Sequence, residues 1–260
     1  MTSPSPTNEE IQITVVITCY NEESFITDTL DNVTEALREV GCSYEVIVMD
    51  DVSPDQSVRK IRSYLQAHPD LPIVLKVNET NRGLANNYVE AAFLGRGKYY
   101  RLCCGDNSEP KEALVHAFKH IGTADIVIPY QVQDEVAGKT KGRKLLSKTF
   151  TFLVNLISGY NLKYYNGMAI HLRYNVMRLH PSSYGFGFQA DILTRLLDEG
   201  ASYIQIPSTG IDRKGGGSTA INLRNILSVN HTLLELAIRR FRRLLYGSTM
   251  PKPLEVFEKK

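Results

Sequence analysis

Two adjacent carboxylates, Asp50 and Asp51, close the apolar run Val46 to Met49 in a stretch that begins at Tyr44, and Ser53, Pro54 and Asp55 follow after Val52. A continuous hydrophobic run of that length reads as a strand buried on both faces, which places it in a parallel sheet. In open α/β sheets ligands gather at the carboxyl ends of the strands. The pair therefore stands where acids can accept hydrogen bonds from a ribose or a base. Ser53 and Asp55 also suit capping of the next helix, a role that needs one acid at most. A third carboxylate, Asp106, lies in the loop Cys104-Gly105-Asp106-Asn107-Ser108-Glu109-Pro110, after a strand-like run from Tyr99 to Cys103. It emerges at the same sheet edge as Asp50. His116 and His120 stand four apart on a helix and can bind a metal; with no carboxylate signature beside them, a solvated helix face is the preferred reading.

The elements that must hold these groups follow from periodicity and punctuation. Ile13 to Thr18 is a short β-branched strand, and Cys19-Tyr20-Asn21-Glu22-Glu23 is its exit loop. A helix over 24–40 carries the stripe Phe25, Ile26, Leu30, Val33, Leu37 and ends at Gly41. A helix over 57–68 stops at Pro69, and Ile73 to Val77 is a third strand. Alternating strands and helices imply right-handed crossovers and a parallel sheet, an α/β fold of Rossmann-like character. The first strand lacks G-x-G-x-x-G, which disfavours a dinucleotide oxidoreductase. Further on come a helix over 84–94, one from Pro110 to Gly122, a strand over 125–130, and a polar 131–143 segment that reads as a mobile loop over the sheet edge. A helix over 144–158, a strand from Asn166-Gly167 through His171, a helix over 189–199 and a strand over 203–208 complete the body. Gly210 to Ser218, with Arg213 and three successive glycines, reads as a flexible loop.

Composition narrows the partners. The chain has 260 residues, is 43% hydrophobic and carries a formal charge of +2, which suits one sizeable core and selects no global electrostatic partner. Four cysteines without C-x-x-C spacing read as buried, reduced thiols of a cytoplasmic protein. Residues 1–11 read as a polar tail with no signal-peptide pattern. No apolar run approaches the roughly 20 residues needed to cross a bilayer. The last helix, 221–247, is amphipathic, with Ile226, Leu233, Leu234, Ala237, Phe241, Leu244 and Leu245 at helical spacing. Arg239, Arg240, Arg242 and Arg243 crowd its far end. Such a helix either lies in a lipid headgroup layer or packs on the domain with its arginines at the helix C-terminus. Residues 248–260 read as a disordered tail.

Four motifs occur in a fixed order: Val15 to Glu23, Glu45 to Ser53, Asn81-Arg82-Gly83, and Cys104-Gly105-Asp106. Together they resemble the family-2 inverting glycosyltransferases of GT-A fold over residues 12–220. Phe186 to Asp191 and the Arg213 to Ser218 loop resemble the branch with dolichyl-phosphate mannose synthase and bacterial polyprenyl-phosphate sugar transferases. The resemblance implies a mixed, mostly parallel sheet flanked by helices, and a nucleotide-sugar held by Thr18, Tyr20, Glu22, Asp50, Asp51, Asn81 and Gly83. It implies Mg2+ or Mn2+ on the donor diphosphate through Asp106, the second acid of the family's D-x-D motif. Cys104 stands at the first acid, and a thiol is a poor magnesium ligand, so either metal affinity is weak or Asn107 or Glu109 compensates. Thr18 replaces the usual proline.

The acceptor implied is a polyprenyl phosphate, met on the cytoplasmic face of a membrane. Being already ionised, it needs cations to hold it and no base. Arg143 with Ser147, and Arg213 with Ser218, match the acceptor-phosphate positions, although Thr219 replaces a common lysine. A sugar or glycolipid hydroxyl would need a base, for which Asp191 is the candidate. A non-catalytic nucleotide-sugar binder with a decayed metal motif is the third reading. No nucleic-acid partner is expected.

Overall fold

The computed structural model describes residues 10–131, 141–179, 185, 187–209, 223–247 and 251–258. Eight helices and seven strands follow the order β1 (Ile13–Cys19), α1 (Ile26–Val40), β2 (Tyr44–Asp50), α2 (Ser57–Ala67), β3 (Ile73–Val77), α3 (Leu84–Leu94), β4 (Tyr99–Cys104), α4 (Lys111–Lys119), β5 (Ile126–Gln131), α5 (Lys141–Ser158), β6 (Ile170–Leu172), α6 (Arg173–Leu179), α7 (Phe188–Asp198), β7 (Tyr203–Ser208) and α8 (Leu223–Tyr246). One sheet runs β3-β2-β1-β4-β6-β5-β7. β6 is antiparallel to both neighbours, and the other pairings are parallel. This is the mixed, mostly parallel GT-A sheet that the motifs imply.

β1 and β2 are almost wholly buried because a parallel sheet is covered on both faces. Val15, Ile17, Val46 and Val48 pack on α1, α2 and α4 on one side, while Val16, Ile47 and Met49 pack with Tyr88 and Tyr100 on the other. Gly97 lies so close to β1 that a Cβ there would sit 2.3 Å from the Thr14 nitrogen. Three cysteines are buried and all four are free thiols.

Two expectations change, and the arginines of the last helix follow one of the two readings given for them. The strand expected over 166–171 is a loop followed by only Ile170–Leu172, wedged between β4 and β5, and α6 follows it without a turn. The tail is not disordered over residues 251–258: Tyr203 N–H donates to Leu254 O (2.8 Å) and Val256 N–H to Tyr203 O (2.7 Å), so the segment lies along the outer edge of β7. Three of the four far arginines of α8 point inward, and Arg242 is exposed. Arg240 and Arg243 sit 2.7 and 3.2 Å from the Asp198 carboxylate, and Arg239 sits 3.1 Å from Asp191. Those two acids are seven residues apart on α7, two turns along one face, and they turn the basic side of α8 onto the domain.

His171 of β6 is fully buried. Its Nδ1–H donates to Leu172 O (3.1 Å), so Nε2 accepts from the Tyr88 hydroxyl (3.1 Å). Burial lowers its pKa from 6.5 to about 4. A histidine held neutral contributes full stability above pH 6.5 and loses it as pH falls toward 4, about 2 kcal/mol between pH 7.5 and pH 5. Chemical denaturation of His171→Gln should therefore give a lower stability at pH 7.5 and a flatter profile down to pH 5 than wild type; parallel profiles would contradict this.

Candidate active site

The parallel register sets the carboxyl ends of three strands side by side. Cys19 pairs with Asp50 and Thr18 with Cys104, so the exit loops of β1, β2 and β4 open onto one rim. Asp50 and Asp106 thus belong to the same edge, as expected.

Hydrogen bonds from side chains fasten these loops to one another. Asp50 Oδ1 accepts from Ser53 N–H (3.0 Å), and Ser53 Oγ accepts from Asn21 N–H (3.0 Å). Ser57 Oγ accepts from Glu22 N–H (2.9 Å), while Asp55 accepts from Ser57 N–H (2.9 Å) and Glu23 N–H (3.1 Å). Asp55 therefore holds the first amide of α2 and also grips the β1 loop. Val52, in between, takes a left-handed φ of 65°, a conformation that costs a β-branched residue energy.

Asp51 governs the next loop. Its Oδ1 accepts from Arg82 N–H (2.8 Å) and Asn78 Nδ2 (2.9 Å), its Oδ2 from Gly83 N–H (2.8 Å), and its carbonyl from Asn81 Nδ2 (3.2 Å). Desolvation alone would raise this carboxyl's pKa, but the Arg82, Asn78 and Gly83 donors outweigh it and hold the group below its usual range. Gly83 adopts φ 78° and ψ 164°, a region essentially reserved for glycine. The Asn-Arg-Gly motif is thus the partner that Asp51 requires. Asp50 is fully buried, and its Oδ2 has no hydrogen-bond partner among the described residues. The two acids shape the rim from beneath, whereas Tyr20, Val52, Asn81 and Arg82 are exposed along it.

The Asp106 loop is held from both sides. Gly105 N–H donates to Thr18 O (2.9 Å), and a Cβ on Gly105 would lie 3.0 Å from that oxygen. Below it, fully buried Arg101 pairs with Glu109 and donates to Met168 O (3.2 Å). Glu109 is thereby committed to a guanidinium. Asn107 Oδ1 accepts from Asn32 Nδ2 of α1 (2.8 Å), so it too is occupied. Each of the two therefore already has one protein partner.

Burial, with Asp106, Glu109 and Glu22 nearby, pushes the Cys104 thiol well above its ordinary pKa, and a neutral thiol is no ligand for Mg2+. Asp106 itself is half-buried, and its Oδ1 accepts from Ser108 N–H (3.2 Å). One carboxylate fits a hard divalent ion only as a partial shell, because Mg2+ is often held by one or two carboxylates plus substrate phosphates.

A cavity of about 80 Å³ adjoins this loop, lined among others by Cys104, Ser108, Asn166, Gly167 and Ser208. Asn166 Oδ1 is buried there without a hydrogen-bond partner among the described residues. A Cβ at Gly167 would fall 1.7 Å from Pro129 O. Sequence reasoning took Asn166-Gly167 for a strand start; as a turn dipeptide it was the available signal.

Asp191 is buried in α7. Its Oδ1 accepts from Arg195 Nε (2.9 Å) and Arg239 (3.1 Å), and Oδ2 is enclosed by protein. Ser147 is half-buried on α5. The Arg143 side chain and residues Arg213, Ser218 and Thr219 lie outside the described residues, as do Phe186 and the glycines of 215–217.

Comparison with known proteins agrees with this architecture. A mannosyltransferase from Pyrobaculum calidifontis, solved with GDP-Man and Mn2+, superposes with a TM-score of 0.60 at 20% identity, covering 96% of this chain and 68% of that one. Glucosyl-3-phosphoglycerate synthase from Mycobacterium tuberculosis, solved with UDP, gives a TM-score of 0.64 at 17% identity over 87% of this chain and 80% of that one. In sequence, an undecaprenyl-phosphate mannosyltransferase of Micrococcus luteus is 24% identical over 217 residues, 80% of this chain and 87% of that protein. A dolichyl-phosphate beta-glucosyltransferase of Dictyostelium discoideum is 29% identical over 105 residues, 38% of this chain but only 32% of that protein, so the match spans about a third of that relative. The family model described as Glycosyl transferase family 2 matches residues 14–181, and with well over half the chain inside that match, the protein belongs to glycosyl transferase family 2.

Proposed function

We propose that this chain is an inverting glycosyltransferase that moves a sugar from a nucleoside diphosphate to a polyprenyl phosphate at a membrane surface. The observation that carries the reading is the rim itself, where the β1, β2 and β4 loops are fastened around Asp106 and open beside a cavity containing an unsatisfied Asn166 oxygen.

The nucleoside would lie on the exposed edge formed by Tyr20, Val52 and Asn81, near Thr18 and Glu22. Asp50, Asp51 and Gly83 act by fixing that edge. The diphosphate would point to Asp106 and the sugar into the cavity, where Asn166 Oδ1 can accept a hydrogen bond from a sugar hydroxyl. A Mg2+ or Mn2+ ion held by Asp106 and the donor phosphates would neutralise charge on the departing diphosphate. An acceptor phosphate oxygen attacks the anomeric carbon from the opposite face, so a carbon–oxygen bond forms as that to the diphosphate breaks. No base is required. A hydroxyl acceptor is less well supported, because Asp191, the candidate base, is enclosed between two guanidinium groups. Arg143, Ser147, Arg213 and Ser218 remain the proposed holders of the acceptor phosphate.

Membrane contact has a different basis from a basic patch. Leu227, Leu234, Phe241 and Leu245 of α8 recur at helical spacing, as do Leu145, Phe152 and Leu156 of α5, and each is at least 60% exposed. The two helices are neighbours, and Lys148 and Arg242 are exposed on them. No helix among the described residues is long and apolar enough to cross a membrane. These stripes suit a face lying in the headgroup layer, beside Ser147.

In a thermal-shift screen, a saturating nucleoside diphosphate should raise the melting temperature; at 100 times its Kd a ligand adds about 2.7 kcal/mol. Mn2+ should add a further increment in wild type and none in Asp106→Asn, and a labelled nucleotide-sugar should pass its sugar to polyprenyl phosphate. No shift with any nucleoside diphosphate would contradict the proposal. In vesicle flotation, Leu234→Asp with Phe241→Asp should abolish binding, while salt weakens the wild type only slightly, because Arg239, Arg240 and Arg243 are already paired. Binding that survives the double variant, or that salt abolishes, would contradict the apolar face.

A further inference from the structure

On the side of the domain that carries α4, the edge of β7 and residues 251–258, two histidines and a carboxylate converge. His116 of α4 and His120, the residue that caps the helix's C-terminus, stand four residues apart, their rings edge to face at 4.9 Å. The segment along β7 is fixed by Tyr203 and by Gln205 Nε2, which donates to Glu255 (2.8 Å), and it delivers Glu258. The Glu258 Oε1 lies 3.5 Å from His116 Nε2 and 3.4 Å from His120 Nε2. One ligand atom from each residue falls within 4.8 Å of the others.

The proton positions make this cluster more than a chance meeting. His116 Nδ1 faces Pro207 O at 3.1 Å and His120 Nδ1 faces His116 O at 2.7 Å. A carbonyl cannot donate, so both Nδ1 atoms carry hydrogen. In the neutral rings both Nε2 atoms then present lone pairs, and these two lone pairs and a carboxylate oxygen face one another with no hydrogen between them. Three acceptors in that arrangement repel unless a cation, or a proton on each ring, lies among them. Imidazole Nδ1–H bound to a backbone carbonyl is also the outer-shell arrangement that orients histidines on metals.

We propose that His116, His120 and Glu258 form a Zn2+ site that clamps the 251–258 segment to α4 and β7. Two imidazoles and a carboxylate are a zinc donor set, with water completing a tetrahedron. The site is separate from Asp106 and does not depend on the glycosyltransferase reading. Its consequence for the rim is positional: Pro207, which accepts from His116, directly precedes Ser208 in the cavity wall.

The test uses the full chain, stripped with chelator and titrated with zinc by calorimetry without nucleotide. One zinc should bind per chain; His116→Ala and Glu258→Gln should each weaken it by at least about tenfold, and Asp106→Asn should leave it unchanged. Hydrogen exchange of residues 251–258 should slow with zinc in wild type and not in Glu258→Gln. Absence of binding at micromolar zinc would show an ordinary protonated histidine–glutamate contact and overturn the proposal. Unchanged affinity in either ligand variant, or a site lost in Asp106→Asn, would overturn it as well.

Discussion

The carboxylate of Asp51 is the constraint on which the sheet edge depends. It is buried at the end of a central strand, and it can be ionised there only because backbone amides of Arg82 and Gly83 and the Asn78 side chain are brought to it. Hydrogen bonds to a charged group contribute about 1.5–3 kcal/mol each, so the 78–83 loop has one favourable position. Asp50 and Asp55 do the same for the turns on either side. A rim of loops, which would otherwise sample many shapes, is thereby held in one. Preorganisation of that kind lowers the ordering cost of binding.

A second arrangement sets the orientation of the last helix. An amphipathic helix ordinarily buries its apolar stripe, yet α8 turns Leu234 and Phe241 outward and its arginines inward. Buried Asp198, which also accepts from the Tyr160 hydroxyl (2.7 Å), attracts Arg239, Arg240 and Arg243. A buried acid stripped of its cations would be left unpaired at a cost of several kcal/mol. Ion pairing therefore acts beside the burial of Leu236 and the packing of Leu233, and the stripe of Leu227, Leu234, Phe241 and Leu245 remains outside.

Much of this was legible in the sequence. The strands from Ile13 to Cys104 are largely β-branched and apolar, and the exit loops of β1, β2 and β4 are marked by Asn-Glu-Glu, Asp-Asp and Gly-Asp; parallel order then places those loops at one edge. β6 was misread because a three-residue strand between two neighbours has no periodicity of its own. The inward arginines were open to either reading, since their partners are fixed by tertiary packing, although the Asp191 to Asp198 spacing was a signal. Glu258 was invisible for the same reason: only pairing with β7 brings it 142 residues back to His116. The expected direct contacts of Asp50 and Asp51 with a nucleoside were inferred from position; the 78–83 loop engages both oxygens of Asp51, whereas Asp50 keeps Oδ2 without a partner among the described residues.

The central claim is that this fastened rim is the donor site. The most direct measurement is a crystal structure of the full chain with a nucleoside diphosphate and Mn2+. The account predicts the nucleoside between Tyr20 and Asn81, the diphosphate at Asp106, and the 78–83 loop unmoved from Asp51. Nucleotide density in another cleft, or density at the rim with the Asp51 contacts broken, would contradict it.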